Sequence, residues 1–190
     1  MKNTYFLLRH GETIYQTKKR KIVYPRPEAS QVKLTKKGEQ QIKRAAKFLK
    51  KKHIDAIYAS DIFRTRQTAK IVAKAIGIKV ILDSRLRDIN LGVYHGSKKD
   101  EFYRDFPRNA KTRFSQRPKG GESWNDVKRR MKNFVREIDG KHKNKNILII
   151  SHGDPLWILE GAMKGLNNQG LISEIFVKKN YIQPGEARAL

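Results

Sequence analysis

The sequence predicts an α/β protein: a three-layer α/β/α sandwich with a mostly parallel central sheet and helices on both faces. Short apolar runs of strand length alternate along the chain with longer segments whose apolar residues recur at helical spacing. Strands separated by helices become parallel neighbours, because the helix carries the chain back across the sheet. Three of the predicted strands also end abruptly in reactive side chains. Open α/β sheets bind ligands outside the carboxyl ends of their strands, so we expect a site at that edge.

The composition predicts a protein without membrane contact. Its 190 residues are enough for one domain with its own core, and we expect one domain spanning residues 1–190. Hydrophobic residues make up 38% of the chain, and no apolar run reaches membrane-spanning length. The first residues lack the apolar core of a signal peptide, and the chain has no cysteine. These features favour a cytoplasmic location.

The formal net charge of +25 is the most unusual bulk property. The lysines are spread over predicted helix ends and loops, and no zinc-finger, basic-zipper or RNA-recognition motif accompanies them. We interpret this as a basic surface with incidental affinity for polyanions, and not as a dedicated nucleic-acid binder.

The first predicted strand consists of four apolar residues, 5–8, followed at once by Arg9, His10 and Gly11. Residues 14–33 are polar and contain prolines, which predicts a loop over the end of this strand. Thr35 is the expected N-cap of the first helix, whose apolar residues recur at helical spacing.

The second and third strands are predicted over residues 54–59 and 78–82. Ser60 is the expected cap of the helix between them, which ends near Gly77. Arg64 falls in the first turn of this helix, where its guanidinium and the free N–H groups of the helix start can face the same anion.

A basic and aromatic segment, residues 98–119, follows the third strand. We interpret it as a flap over the site, with a peripheral helical insert as the equal alternative. The next helix is predicted from Trp124 to about Ile138, closed by Gly140. A fully buried strand over residues 146–150 then ends in Ser151, His152 and Gly153.

The last part of the chain predicts one more helix and two strands. Asp154 is the expected N-cap of the helix, with Pro155 at its first position and its end near Met163. Residues 172–177 are predicted as a sizeable strand, and residues 181–190 as an additional edge strand.

Two histidines and two arginines, His10, His152, Arg9 and Arg64, are thus predicted to converge on one small volume. Arginine binds phosphate oxygens through charge-assisted hydrogen bonds, and His10 suits a nucleophile or general base. Gly11 lets the backbone turn and approach a ligand closely. A metal site is disfavoured, because carboxylates are few and the arginines would repel a cation. The pattern favours a phosphate site with a nucleophile in it.

Five motifs, in their order along the chain, resemble those of one known family. They are Leu8-Arg9-His10-Gly11-Glu12-Thr13, Leu34-Thr35-Lys36-Lys37-Gly38, the run from Ser60 to Ala69, Gly120-Gly121-Glu122-Ser123, and Ile150-Ser151-His152-Gly153. Together they resemble the histidine phosphatase superfamily, also called the phosphoglycerate mutase-like family, over nearly the whole chain.

This resemblance implies a two-step phosphoryl transfer without a metal or other cofactor. His10 matches the nucleophile that becomes phosphohistidine, and Arg9, Arg64 and His152 match groups that bind the phosphoryl oxygens. Phosphoryl transfer needs mainly positioning and charge stabilisation, which agrees with these roles. His10 must be neutral to attack, whereas His152 serves best protonated. We therefore expect the pKa values of the two histidines to be split by their environment.

Asp88 is the first candidate for the general acid. The family commonly has a glutamate in a Leu-x-Glu stretch before a glycine, and here Leu86-Arg87-Asp88 stands in that place. The carboxylate is retained, but its reach is shorter by one C–C bond, roughly 1.5 Å. Asp83 and Glu122 are the next candidates.

Three further positions bear on the resemblance. Gln16 stands where the family often has an asparagine near the phosphate, so we expect a contact from its amide. Thr13 either binds phosphate or caps a turn. His95 departs from the usual Trp-Glu-Gly or Tyr-Glu-Gly run, and we interpret it as structural or substrate-facing.

The short chain and compact insert favour the small-phosphatase branch of the family over its longer mutases. The expected partner is a small phosphorylated substrate, and the expected assembly is a monomer or homodimer. The alternatives are a phosphoglycerate mutase-type phosphotransferase and an inactive phosphate- or RNA-binding member of the fold.

Overall fold

The central sheet has five strands in the described part of the chain, in the order β3-β2-β4-β1-β5. The structure is a computed structural model that describes residues 1–17, 20–26, 31–107 and 111–190. The strands are β1 (Thr4–Arg9), β2 (Ala56–Ala59), β3 (Val80–Leu82), β4 (Asn146–Ser151) and β5 (Ala187–Ala189). The first four run parallel, and β5 pairs antiparallel with β1.

Six α-helices accompany these strands in the same ranges. They are α1 (Lys36–Lys50), α2 (Phe63–Ile76), α3 (Lys99–Asp105), α4 (Trp124–Lys141), α5 (Gly153–Met163) and α6 (Asn168–Phe176).

The sheet separates two hydrophobic cores. Successive side chains of a strand point to opposite faces, so Tyr5 and Leu7 enter one core while Phe6 and Leu8 enter the other. The first core is completed by α4, α5 and α6, and the second by α1 and α2. Burial on both faces explains why β1 and β4 are continuous apolar runs.

The predicted three-layer fold is confirmed. Thr35 caps α1 by accepting a hydrogen bond from the backbone N–H of Gly38 at 2.9 Å. Arg64 lies in the first turn of α2, and Gly77 follows its end with a left-handed backbone. The predicted edge strand in residues 181–190 is β5.

The strand predicted over residues 172–177 is wrong, because this segment belongs to helix α6. Asn167 caps this helix by accepting a hydrogen bond from the N–H of Gly170 at 2.9 Å. Leu171 and Ile175, four residues apart, both pack on the first core, as one face of a helix requires. A short apolar run fits the periodicity of a strand as well as that of a helix, and the Asn167 cap identifies this segment as a helix.

Other element boundaries also differ from the predictions. β2 and β3 each begin two residues later than expected, at Ala56 and Val80, and α4 continues through Gly140 to Lys141. α5 begins at Gly153, so Asp154 lies inside its first turn instead of capping it. The N-cap position of α2 is Ile62, and Ser60, the predicted cap, contacts His152 instead.

The predicted loop and flap lie only partly within the described residues. Residues 18–19 and 27–30 of the loop, and 108–110 of the flap, are outside them. Backbone hydrogen bonds join the two segments, from Val23 N–H to Ser97 at 2.9 Å and from Lys99 N–H to Lys21 at 2.8 Å. Within the described ranges, no helix is both long enough and apolar enough to cross a bilayer.

Candidate active site

The candidate site forms where β1, β4 and β2 end side by side. β1 delivers Arg9 and His10, β4 delivers His152, and Ser60 follows β2. Arg9 pairs with Ser151 across the sheet, so the two histidines come next to each other, with ring centroids 5.2 Å apart. The predicted convergence therefore occurs, at the carboxyl edge of the sheet.

The imidazole of His10 is buried and held in one tautomer. Its Nδ1 lies 2.7 Å from the carbonyl oxygen of Gly11, which can only accept, so Nδ1 carries the hydrogen. Nε2 is left with its lone pair and accepts a hydrogen bond from Nε of Arg64 at 3.3 Å. Burial, and then the charges of Arg64 and Arg9, hold the pKa of His10 well below its usual range. The ring is thus neutral, and its Nε2 lone pair is engaged by Arg64.

The imidazole of His152 is completely buried and only half satisfied. Its Nε2 lies 3.0 Å from Oγ of Ser60, whereas Nδ1 has no hydrogen-bond partner among the described residues. Burial, and then the charge of Arg64, hold the pKa of His152 well below its usual range as well. The expected split between the pKa values of the two histidines is therefore not found, because both rings are buried in the same positively charged environment.

The guanidinium of Arg9 is anchored on one side and unsatisfied on another. One terminal nitrogen donates to the carbonyl of Ile182 at 2.8 Å, and the group lies over the ring of Tyr181 at 5.3 Å. Its Nε is buried and has no partner among the described residues. Buried polar groups are normally paired, so Arg9 Nε and His152 Nδ1 together suit a polar ligand. An anion with several acceptor oxygens suits them.

The guanidinium of Arg64 is buried and donates hydrogen bonds through two of its nitrogens. Besides donating to His10, it donates to Oδ2 of Asp88 at 2.8 Å. Its flat face lies 3.9 Å from the ring centroid of Tyr24, a close cation–π contact. Arg66, on the same helix, is exposed, as expected for a residue that points elsewhere.

The carboxyl of Asp88 lies between Arg64 and His152. Its Oδ2 is 3.6 Å from Nδ1 of His152, and its Oδ1 accepts from the N–H of Ile89 at 3.0 Å. Arg130 holds this loop by donating to the backbone carbonyl of Asp88 at 3.1 Å. Burial raises the pKa of Asp88, against the opposing charge of Arg64. A carboxyl that keeps its proton more readily is suited to donate it.

The two other acid candidates are committed to ion pairs. Asp83 accepts from the backbone N–H of Arg85 at 2.8 Å and pairs with its guanidinium at 2.6 Å. Glu122 accepts from Arg130 through both oxygens, at 2.8 and 3.0 Å. Neither carboxylate contacts the histidines, so the geometry favours Asp88 among the three.

Gln16 and Thr13 are placed beside the site but bond to each other. Thr13 caps the short 3₁₀ turn Ile14–Gln16, and its N–H and hydroxyl both donate to the Gln16 amide oxygen, at 2.8 and 2.9 Å. The Gln16 amide nitrogen donates to the hydroxyl of Tyr24. A phosphate contact from either residue stays a prediction.

Gly11 is needed for close packing of the backbone. A Cβ added there would lie 2.5 Å from the carbonyl oxygen of Gly38, too close for any side chain. Its N–H donates to Oγ1 of Thr68 at 3.3 Å. Its predicted contact with phosphate also stays a prediction.

Sequence reasoning missed three residues of the site: Tyr24, Tyr181 and Asp154 as a structural acceptor. Tyr24 contacts Arg64, and Tyr181 contacts Arg9. Both tyrosines come from irregular segments, so no periodicity marks them in the sequence. His95 accepts from the N–H of Leu91 at 3.1 Å and contacts the Tyr24 carbonyl at 3.1 Å, and it also lines the smaller of the two depressions described below, so both of its interpretations stay predictions.

Two depressions open at this edge of the sheet. The larger, of about 690 Å³, is lined by Arg9, His10 and Asp154 and by flap residues that include Arg113. The smaller, of about 510 Å³, is lined by Arg64 and by arginines of the neighbouring loops. Tyr24 and Asp88 border both. No group of three histidine, cysteine or acidic side chains in the described ranges is arranged to hold a metal ion.

Comparison with known proteins identifies a family for this arrangement. The sequence model of the histidine phosphatase superfamily, branch 1, matches residues 5–174. The chain is 34% identical over 165 residues to the probable phosphoglycerate mutase GpmB of Erwinia tasmaniensis. The aligned region covers 85% of this chain and 74% of that protein. It is 31% identical over 139 residues to phosphoserine phosphatase 1 of Hydrogenobacter thermophilus, covering 70% of this chain and 65% of that protein.

Solved structures show the same fold. The Bacillus stearothermophilus protein YhfR superposes with a TM-score of 0.80 and 30% identity, covering 98% of this chain and 90% of that one. A mycobacterial glucosyl-3-phosphoglycerate phosphatase superposes with a TM-score of 0.83 at 24% identity, covering 98% of this chain and 90% of that one. These matches agree with the resemblance carried by the five motifs.

Proposed function

The chain belongs to the histidine phosphatase superfamily, and from this premise we propose that it is a metal-independent phosphomonoester hydrolase acting through a phosphohistidine intermediate. One observation carries the proposal. His10 Nε2 carries a lone pair, and two buried nitrogens of the same site, Arg9 Nε and His152 Nδ1, have no hydrogen-bond partner in the described structure. A phosphoryl group supplies both an electrophile for the lone pair and oxygens for the two nitrogens.

In the first step, Nε2 of His10 attacks phosphorus in line with the leaving oxygen. The N–P bond forms while the P–O bond to the leaving group breaks, and Asp88 gives its proton to the departing oxygen. The hydrogen bond from Nδ1 to the Gly11 carbonyl, 2.7 Å long, holds the ring in the reactive tautomer. It also stabilises the positive charge that the ring gains on attack.

In the second step, a water molecule attacks the phosphohistidine. Asp88, now a carboxylate, takes a proton from this water as the new P–O bond forms and the N–P bond breaks. Inorganic phosphate leaves, and Asp88 and His10 return to their starting protonation states. The raised pKa of Asp88 allows the same group to act as acid and then as base.

Substrate binding requires Arg64 to change partners. Its donors bind the His10 lone pair and the Asp88 carboxyl. The phosphoryl oxygens replace both acceptors, which frees the nucleophile. Moving the guanidinium away from Asp88 also removes the charge that lowers its pKa, so the acid keeps its proton when the substrate arrives. His152 then donates to the phosphoryl group through Nδ1, while Ser60 holds its other nitrogen.

The substrate class that suits this site is a small phosphorylated metabolite. The larger depression, about 690 Å³, is of the size that binds small molecules. Part of its wall comes from α3 and from the turn Lys111–Phe114 in residues 98–119, which supports their role as a flap in a domain spanning residues 1–190. We place the protein in the cytoplasm, where such metabolites occur.

The deciding experiment measures release of p-nitrophenol from p-nitrophenyl phosphate in excess EDTA. Wild-type protein is expected to turn over the substrate, and His10→Ala is expected to abolish turnover. The phosphoenzyme would appear in the wild type as an acid-labile, alkali-stable phosphate on quenching. Turnover that needs added metal, or that persists in His10→Ala, would overturn the proposed mechanism.

A mutase-type phosphotransferase is the second candidate, favoured by the 34% identity to a probable phosphoglycerate mutase. An assay of phosphoglycerate interconversion separates the two activities. A wild type that interconverts phosphoglycerates faster than it hydrolyses them supports the mutase. Absence of both activities together with tight, salt-sensitive RNA binding would support the inactive binding protein instead.

A further inference from the structure

A partly buried cluster beside Arg9 is not used by the proposed mechanism. Its centre is Asp154, in the first turn of α5, two residues after His152. Asp154 Oδ1 accepts a hydrogen bond from the hydroxyl of Tyr181 at 2.7 Å, and Oδ2 accepts from the indole N–H of Trp124 at 3.1 Å. The ring of Tyr181 lies under the guanidinium of Arg9. The cluster thus connects α5, α4 and residues 181–190 to the end of β1.

Asp154 lines the larger depression, which makes it a carboxylate near the reacting groups. Both oxygens accept hydrogen bonds, from the Tyr181 hydroxyl and the Trp124 indole, and Arg113 lies 3.9 Å from Oδ2. These partners differ from those of Asp88, which accepts from Arg64 and from the N–H of Ile89. We therefore interpret Asp154 as a fixed acceptor that holds the hydroxyl of Tyr181.

The Tyr181 ring packs closely on the backbone of Gly153. A Cβ added to Gly153 would lie 2.1 Å from the Tyr181 hydroxyl oxygen and 3.1 Å from Cζ of Arg9. Both side chains therefore pack directly on the backbone between His152 and Asp154. The ring is confined between that backbone and the guanidinium, with its hydroxyl tied to Asp154.

The guanidinium of Arg9 needs two restraints to keep one orientation. The hydrogen bond from one terminal nitrogen to the Ile182 carbonyl, 2.8 Å, fixes one corner but leaves rotation about that corner. Contact of its flat face with the Tyr181 ring, 5.3 Å from the centroid, removes this rotation. With both restraints in place, the buried Nε keeps one orientation, in which it has no hydrogen-bond partner among the described residues.

We propose that Asp154 and Tyr181 are positioning residues that hold Arg9 ready to bind a phosphoryl oxygen. The inference rests on the proposed function, because it assigns Arg9 to the phosphoryl group. It goes beyond that function because it assigns part of the affinity for phosphate to two residues that act through Arg9 and do not touch the reacting atoms.

The test compares three variants by calorimetric titration with inorganic phosphate and by steady-state hydrolysis of p-nitrophenyl phosphate. Tyr181→Phe removes the bond to Asp154 and keeps the ring, whereas Tyr181→Leu removes both. Tyr5→Phe is the matched control, since Tyr5 is also buried and donates to an aspartate, Asp139, at 3.0 Å, from the opposite end of β1. We expect phosphate affinity to fall about tenfold in Tyr181→Leu and less in Tyr181→Phe, and to be unchanged in Tyr5→Phe.

A double-mutant cycle with Arg9→Ala separates positioning from general damage to the fold. If Tyr181 acts through Arg9, Tyr181→Leu causes no further loss of phosphate affinity once Arg9 is alanine. Additive losses in the cycle, or equal losses in Tyr181→Leu and Tyr5→Phe, would overturn the positioning role. If the Tyr181→Leu protein fails to fold, the double-mutant cycle is run with Asp154→Asn and Tyr181→Phe instead, because both variants keep the Tyr181 ring or its phenylalanine equivalent.

Failure of this inference and failure of the proposed function give different results. A wild type that binds phosphate but hydrolyses no phosphomonoester contradicts the hydrolase, while the binding cycle still decides the role of Tyr181. A wild type that does not bind phosphate contradicts both.

Discussion

Arg9 and Arg64 bring the same guanidinium group to the same site, but the protein holds them in opposite ways. Arg9 is anchored by groups that do not react, the Ile182 carbonyl and the Tyr181 ring, and its Nε remains unpaired. Arg64 is bound to groups that do react, His10 and Asp88. Arg9 is therefore preorganised to bind an anion, whereas Arg64 must give up two hydrogen bonds before it can bind the same anion.

This difference predicts a division of labour between the two arginines. A donor that is already unpaired gains its full hydrogen bond when any phosphate binds, in the ground state as well as the transition state. A donor that exchanges partners gains little on binding, and its benefit appears when charge develops in the transition state. The following predictions test this division.

The largest effect is expected at Asp88, the reacting partner of Arg64. Asp88→Asn should slow hydrolysis of an alkyl phosphate about 10² to 10⁴-fold, because its poor leaving group needs a proton. Hydrolysis of p-nitrophenyl phosphate, whose leaving group needs little help, should fall much less. Steady-state rates on both substrates check this, with Asp83→Asn as the control carboxylate. Small and equal effects on the two substrates would remove Asp88 from the role of acid.

The pH dependence of this variant sharpens the assignment. In the wild type, kcat/KM should fall as the pH rises through the raised pKa of Asp88, because the acid loses its proton. Asp88→Asn should lack this alkaline limb. The acid limb from protonation of His10 should lie well below pH 6.5, since burial lowers the pKa of that ring. An unchanged alkaline limb in the variant would assign the limb to another group.

The next effect compares the arginines directly. Arg64→Ala should lower kcat about 10² to 10³-fold, the usual result of removing one donor to a transition-state oxygen, with little change in the affinity for phosphate. Arg9→Ala should weaken phosphate binding and raise KM as well as lower kcat. The KM and kcat of each variant, together with phosphate titrations, measure the split. If KM and kcat change in the same way in the two variants, the two arginines do not have the different roles proposed for them.

A smaller effect is expected from the aromatic ring on Arg64. Tyr24→Leu removes a cation–π contact of 3.9 Å and should lower kcat about tenfold. Tyr24→Phe keeps the ring and should lose less, although it gives up the hydroxyl contacts with Thr13 and Gln16. Kinetics and phosphate titration of both variants check this. A loss confined to phosphate affinity would place Tyr24 in the same role as Tyr181.

The smallest effect concerns stability, and it arises because both histidines are buried in a neutral form. Their folded pKa values lie below the unfolded value of about 6.5. As the pH falls below 6.5, the unfolded chain takes up protons that the folded protein refuses, so the free energy of unfolding decreases. The slope is at most about 1.4 kcal/mol per pH unit for each histidine.

Urea unfolding at pH 7 and pH 5.5 measures this slope, with the double variant His10→Asn, His152→Asn as the control. Asp88 acts in the opposite direction, since its raised pKa makes the folded state retain a proton at pH values just above 3.9. The double variant should show the flatter dependence. An identical pH dependence of the free energy of unfolding in both proteins would mean that protonation of the two histidines does not destabilise the fold.

The sequence predicted the parts of the site that follow directly from strands, and missed those that come from irregular segments. Arg9, His10 and His152 stand immediately after buried strands, so the sheet alone brings them together. Tyr24 and Tyr181 reach the site through loop paths that no local pattern specifies. The wrong strand over residues 172–177 has a related cause, because a short apolar run fits both periods until the Asn167 cap is taken into account.

The electrostatics were also only partly predictable. The sequence indicated two histidines with opposite protonation states, but it did not show that both rings would be buried beside the same guanidinium groups. Desolvation depends on the packed structure and not on residue type. For the same reason, the raised pKa of Asp88 emerges only when its loop is placed between Arg64 and His152.

The attachment of residues 181–190 to the end of β1 has a consequence for how the protein folds. The Gly185 N–H donates to the Arg9 and His10 carbonyls, and the Arg9 N–H donates to Glu186, so these bonds close a loop of more than 170 residues. Contacts of such sequence separation form slowly and are assembled only with most of the chain in place. Phosphate affinity should therefore be acquired in the final stage of refolding, and bound phosphate should slow amide hydrogen exchange at Gly185.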